Sequence, residues 1–123
     1  MEVLSEDELR GQVLSFLKDF KELMGQGHYY VKEHFKNIQT LMDLGLTTRL
    51  RDEFILSIAL VDYSSGPNPD ELNPGYFWVF GKGLDSTEIY IKLKIVIYNN
   101  GNEQAVCISF HPSEHPFKYP FRR

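Results

Sequence analysis

Apolar residues in the first sixty positions recur at helical spacing. Leu9, Val13, Phe16, Leu17, Phe20, Leu23 and Met24 stand three or four residues apart, which predicts one buried face of a long helix. Ser5 suits its N-cap, with Glu8 completing a capping box, and Gly25 and Gly27 mark its end. A second stripe, Phe35, Ile38, Leu41 and Met42, predicts a helix over about 32–43 that stops at Gly45. Thr47 or Thr48 can cap a third helix carrying Leu50, Phe54, Ile55, Ile58 and Leu60. Between the first two helices, His28 to Val31 leave room for a small strand.

The period then changes. "VDYSSGPNPDELNPGY" holds three prolines and two glycines, so neither a helix nor a central strand fits there. A long ordered loop or lid over residues 62–75 is expected, and loops of that length often carry function. After it come three runs of strand character, about Tyr76–Phe80, Glu88–Tyr98 and Gln104–His111. "GKGLDST" links the first pair and "NNGN" the second. The tail "PSEHPFKYPFRR" carries three prolines and is expected to lie extended against the sheet through Phe117, Tyr119 and Phe121. The chain reads as a single domain, 1–123: a helical half over about 5–61, the loop 62–75, a sheet half 76–111 and the tail 112–123. Its class is α+β, three N-terminal helices followed by a small antiparallel β-meander.

The last hairpin predicts its own register. Asn100-Gly101 is a strong signal for a two-residue type I′ turn, and residues opposite each other then sum to 201. Ile91 meets Phe110, Leu93 meets Ile108 and Ile95 meets Val106, an all-apolar face. The other face pairs Tyr90 with His111, Lys92 with Ser109 and Lys94 with Cys107. A slip of one residue would oppose polar to apolar positions. Directly opposed Cβ atoms stand about 4.5–5.5 Å apart, so a phenol, an imidazole, an ammonium and a hydroxyl share one patch. Such residues are ordinary on the wet face of an antiparallel sheet. They are also the groups that bind a phosphate and move a proton.

Bulk properties narrow the setting. A chain of 123 residues buries enough surface to fold without staples. Its one cysteine, Cys107, excludes an intrachain disulfide and fits a reducing compartment. The acidic start "MEVLSEDELR" lacks the apolar core of a leader, and no apolar run reaches the roughly 18 residues of a membrane span. A soluble, cytoplasmic protein is expected. The net charge of −4 is unlike the basic footprint of most nucleic-acid binders. It is unevenly spread: residues 1–75 carry −6 and residues 76–123 carry +2. An anionic ligand is less unwelcome in the second part.

Other motifs point away from chemistry. His111-Pro-Ser-Glu-His115 lies at a strand end between prolines, without the three or four ordered ligands zinc wants, so no metal site is expected. "GKGLDS" does not match the phosphate-binding P-loop pattern. Cys107 has no neighbour to activate a thiolate.

The order of elements, with "GQGHYYV", "LMDLGLT", "LVDYSSG", "YFWVFGK", "EIYIKLKI" and "AVCISFHP", resembles the motility quorum-sensing regulator type of toxin. These are the toxins of bacterial toxin–antitoxin pairs within the RelE-like group of messenger-RNA-cleaving ribonucleases. The resemblance covers about residues 10–111. It rests on Asp62-Tyr63, Trp78, Tyr90-Ile91-Lys92 and Ser109-Phe110-His111. The family's functional tyrosine falls on Tyr90 and its late lysine on His111. Its earlier lysine falls near Ser64 or Ser65, and its glutamine on Val79. The resemblance implies a RelE-like fold and metal-independent RNA cleavage by attack of the ribose 2′-OH on the adjacent phosphorus, without a cofactor. Tyr90, Lys92 and His111 would be catalytic. Tyr63, Trp78, Lys82, Lys94 and Ser109 would bind substrate. The implied partners are RNA and a cognate antitoxin protein, with no membrane and no metal. The alternative is a non-catalytic interaction protein on the same fold, using the sheet edge or polar face to hold a partner.

Overall fold

The computed structural model describes residues 4–122. Three helices, α1 (Glu6–Gly25), α2 (Phe35–Leu44) and α3 (Thr48–Leu56), accompany five strands: β1 (Tyr29–Val31), β2 (Tyr63–Pro69), β3 (Tyr76–Leu84), β4 (Thr87–Ile97) and β5 (Glu103–Pro112). The strands form one sheet in the order β1-β5-β4-β3-β2. The fold is α+β, as the hydrophobic periods predict. The sheet is larger than a three-stranded meander and is mixed, because β1 runs parallel to β5.

Three corrections follow. The stretch expected as a loop over 62–75 contains β2, antiparallel to β3. Its prolines are tolerated because β2 is an edge strand with one side free of ladder bonds. Next, β3 continues through "GKGL", and Leu84 pairs with Thr87, so the connection is Asp85-Ser86 rather than the whole of "GKGLDST". Finally, α3 stops at Leu56, where the Ser57 backbone caps it, instead of running on to Leu60.

The core lies between the helices and one face of the sheet. Ser5 caps α1, its hydroxyl accepting from the Glu8 amide at 3.1 Å. Val13, Phe16, Leu17 and Phe20 of α1 are buried against Trp78, Phe80, Ile89, Ile91, Leu93 and Phe110. Each such side chain contributes about 1.5–3 kcal/mol by leaving water. Phe16 stacks on Trp78 with centroids 5.1 Å apart. Thr47 caps α3, accepting from the Leu50 amide at 3.1 Å.

Helix α2 is turned opposite to its apolar stripe. Phe35 is 77% exposed, Ile38 47% and Met42 72%, while Asn37 and Thr40 are buried. Leu41 and Leu44 are half-buried. The reason is what the helix packs against. It covers the outer edge of β5, which presents backbone N–H and C=O groups that only a polar side chain can satisfy. The Asn37 amide donates to the Ile108 carbonyl at 3.0 Å and accepts from the Phe110 N–H at 2.9 Å.

The β4–β5 register is also corrected, for half its length. Tyr90 opposes His111, Ile91 opposes Phe110 and Lys92 opposes Ser109, each summing to 201, but Leu93 opposes Cys107 and Lys94 opposes Val106, each summing to 200. The turn is the cause. Gly101 has φ +86 and Asn100 is not left-handed. The Gly101 amide donates to the Tyr98 carbonyl at 2.9 Å, and the Tyr98 amide donates to Asn102 at 2.8 Å. This is a three-residue loop with glycine in the left-handed position, the second common hairpin solution. It shifts the register by one, and a bulge at Ile108 shifts it back. Cys107 therefore points into the core, where it is 0% exposed, instead of facing out beside Lys94.

Candidate functional site

On the sheet face away from α1, the side chains of Tyr90 (β4) and His111 (β5) stand side by side. Their rings stack with centroids 5.3 Å apart and planes 19° from parallel. Phe117 stacks on Tyr90 as well, 6.0 Å away at 17°. The phenol thus sits beside two rings, one from the sheet and one from the C-terminal tail.

The tail reaches this position because Gly81 lies opposite Tyr90 in the β3–β4 ladder. A Cβ at Gly81 would come within 2.5 Å of the Tyr119 hydroxyl and 2.8 Å of the Phe117 ring. The missing side chain is the space the tail fills. Glu88 then holds the tail twice: its carbonyl accepts from the Ser113 amide at 2.8 Å, and its carboxylate accepts from the Tyr119 hydroxyl at 2.6 Å. Further on, Phe121 packs 5.6 Å from Tyr63, and Arg122 donates to the Val61 carbonyl at 2.9 Å and to Asp62 at 3.1 Å. The extended tail expected from its prolines is a built wall.

A cleft of about 400 Å³ opens between the tail, the sheet and α2. Tyr90, Val79 and His111 form its floor, Ser64 and Ser65 of β2 one side, and Lys36 of α2 another. Ser113, Glu114, His115, Pro116 and Phe117 complete it. Lys36 and Glu114, both lining the cleft, form an ion pair, and the Lys36 ammonium holds the Glu114 carboxyl below the usual carboxylate range. Burial raises the Tyr90 phenol above its ordinary value, so it stays protonated and is able to donate a hydrogen bond. His111 Nδ1 lies 3.0 Å from the Pro112 carbonyl. A neutral His111 therefore carries its proton on Nδ1 and leaves Nε2 as an acceptor.

The structure brings some of the sequence-predicted residues together and sends others elsewhere. Lys92 and Ser109 share the face of Tyr90 and His111, but the Lys92 ammonium rests 4.0 Å above the Phe77 ring. Lys94 is 4% exposed and bonds Asp70 at 2.7 Å. Lys82 emerges on the helical side, 3.2 Å from the Ser57 carbonyl and 3.7 Å from Asp62. Trp78 and Tyr63 belong to the core, the Tyr63 hydroxyl donating to the Gly66 carbonyl at 2.6 Å. Burial pushes the Cys107 thiol up to about 12, so it is no nucleophile near neutral pH. Sequence reasoning does not assign Lys36, Glu114, His115 or Phe117 to the site: it weighs His115 only as a metal ligand, and Phe117 only as a packing residue of the tail. The signal for the tail residues was a run of aromatic and histidine side chains spaced by prolines, too extended for any helical or strand period.

The Lys94–Asp70 pair makes a pH prediction. The ammonium draws the Asp70 carboxyl down from 3.8 to about 2. The folded value lies below the unfolded one, so the pair stabilises the fold above about pH 4 and loses that contribution as pH falls toward 2. Asp70→Asn should flatten the acid limb of a melting temperature against pH profile in this window. An unchanged limb would show that the pair does not matter.

Among the described residues, no group of three or more His, Cys, Asp or Glu is placed to hold a metal ion, and no helix is long and apolar enough to cross a membrane. Compared with family models, with curated proteins and with solved structures, the chain matches none.

Proposed function

We propose that this chain is the toxin of a toxin–antitoxin pair, an endoribonuclease of RelE-like fold that cleaves messenger RNA by attack of the 2′-OH on the neighbouring phosphorus. One observation carries the reading. Four positions onto which the resemblance projects functional residues, Ser64 or Ser65, Val79, Tyr90 and His111, lie on different strands and line one cleft, whereas Lys92 and the residues expected to bind substrate lie outside it. The cleft contains groups the reaction can use: an imidazole, a protonated phenol and a nearby ammonium. His111 Nε2 accepts the 2′-OH proton, and Tyr90 donates to a non-bridging phosphate oxygen. Lys36 is the cation lining the cleft, and it must leave Glu114 to meet a phosphate.

The test is incubation of a messenger RNA with the protein in EDTA, with and without ribosomes, followed by analysis of the new ends. A cyclic phosphate and a 5′-hydroxyl are expected. Absence of cleavage under both conditions removes the reading.

A second reading, a non-catalytic interaction protein, is favoured by two features. Lys36, Lys92 and Lys94 are all engaged within the protein, and Phe35, Ile38 and Met42 of α2 face outward. On that reading induction of the chain without its antitoxin leaves growth and messenger RNA unchanged.

A further inference from the structure

We propose that His115 is the general acid of the cleavage, paired with His111 as general base, so that the cleft is a two-histidine ribonuclease site whose second histidine is delivered by the tail. The proposal rests on the ribonuclease reading above and extends it to a residue outside the resemblance, which ends at His111. Two imidazoles line the same cleft. The Glu114 carboxylate lies close enough to both to be lowered by their charge as well as by Lys36. Ser113 fixes the intervening turn, its hydroxyl donating to the His115 carbonyl and accepting from the His115 amide at 3.4 Å. His115 itself is exposed and contributes nothing to the core. Its placement follows from the docking of Phe117 and Tyr119 into the space above Gly81.

The chemistry requires two proton transfers. The base takes the proton of the 2′-OH as that oxygen forms its bond to phosphorus. The acid gives a proton to the 5′-oxygen as the P–O5′ bond breaks. His111, with Nδ1 turned to the Pro112 carbonyl, offers Nε2 as the base. A protonated His115 supplies the second proton and ends neutral. Exchange with water returns His111 to its neutral form and His115 to its protonated form for the next turnover. Tyr90 is the competing acid, but its phenol is held protonated by burial and is further from the neutral range than an imidazole. The other titratable groups facing His115 are Lys36 from α2 and Glu114 from the tail. The side chains from β2 and β3, Ser64, Ser65 and Val79, do not titrate.

A pair of RNAs separates the roles. One is the natural strand. The other carries sulfur in place of the bridging 5′-oxygen at the linkage the wild type cuts, so that its thiolate leaves without a proton. His115→Ala should slow cleavage of the natural strand by about 10²–10⁴-fold and cleave the sulfur strand at close to the wild-type rate. His111→Ala should slow both. The rate of the wild type should be bell-shaped in pH, and His115→Ala should lose the limb at high pH. His115→Ala with full activity on the natural strand, or with the same deficit on both strands, overturns the assignment while leaving the ribonuclease reading intact. A wild type that cuts neither strand overturns both.

Discussion

His111→Ala is expected to lower RNA cleavage by about 10²–10⁴-fold in a protein that still folds. The imidazole is half-exposed on the open sheet face and leaves no cavity when removed. Its structural role is the 5.3 Å stack on Tyr90, worth about 0.5–1.5 kcal/mol, so a small fall in melting temperature accompanies the loss of activity. Tyr90→Phe provides the contrast. Its ring still meets His111 and Phe117, and only the hydroxyl is lost. A rate deficit in Tyr90→Phe without a stability deficit assigns the phenol to the phosphate. A folded His111→Ala protein that cleaves at the wild-type rate removes His111 from the mechanism. The measurement is cleavage rate and thermal melting on the same preparations.

The parts of the fold that were legible in the sequence are those in which side chains meet side chains. The α1 stripe and the Ile91–Phe110 pairing both bury apolar surface against apolar surface, and a hydrophobic period records that. Where side chains meet backbone the period misleads. Helix α2 covers a strand edge, so its inner face is Asn37 and Thr40 and its apolar stripe faces out. The hairpin shows the same limit at finer scale. Asn-Gly signals a turn, but the same pair closes either a two- or a three-residue loop. The choice between them moved Cys107 from the open face to the core. The pairing of Tyr90 with His111 survived because the bulge at Ile108 reverses the shift before the chain reaches it. Of the cleft, Tyr90 and His111 could be placed by register, while Ser64 and Ser65 fall in the expected loop and Val79 had no register. Lys36 and Glu114 could not be placed, since their ion pair between α2 and the tail spans 78 residues of sequence and has no local signature.

Replacing Asn37 should be the most damaging single change outside the hydrophobic core. Strand β1 pairs with β5 only from Ala105 to Cys107, and the Lys32 amide adds one last bond to the Cys107 carbonyl at 3.0 Å. Beyond that point the edge of β5 has no strand beside it. The Asn37 amide takes the place of the missing residue, accepting from Phe110 N–H at 2.9 Å and donating to the carbonyls of Ile108 at 3.0 Å and Lys32 at 2.9 Å. Asn37→Ala strips a partner from all three. Each unsatisfied buried group costs about 1–3 kcal/mol, and water entering beside the shorter side chain recovers part, so a loss of about 3 kcal/mol is expected in urea unfolding. Asn37→Asp should not rescue it, because a carboxylate accepts from Phe110 but cannot donate to either carbonyl. The bulge that these bonds pin is what brings His111 back opposite Tyr90, so cleavage should fall in Asn37→Ala even at temperatures where the protein remains folded. A change below about 0.5 kcal/mol, the level of an ordinary surface substitution, would mean that β5 holds its edge and its bulge without the helix.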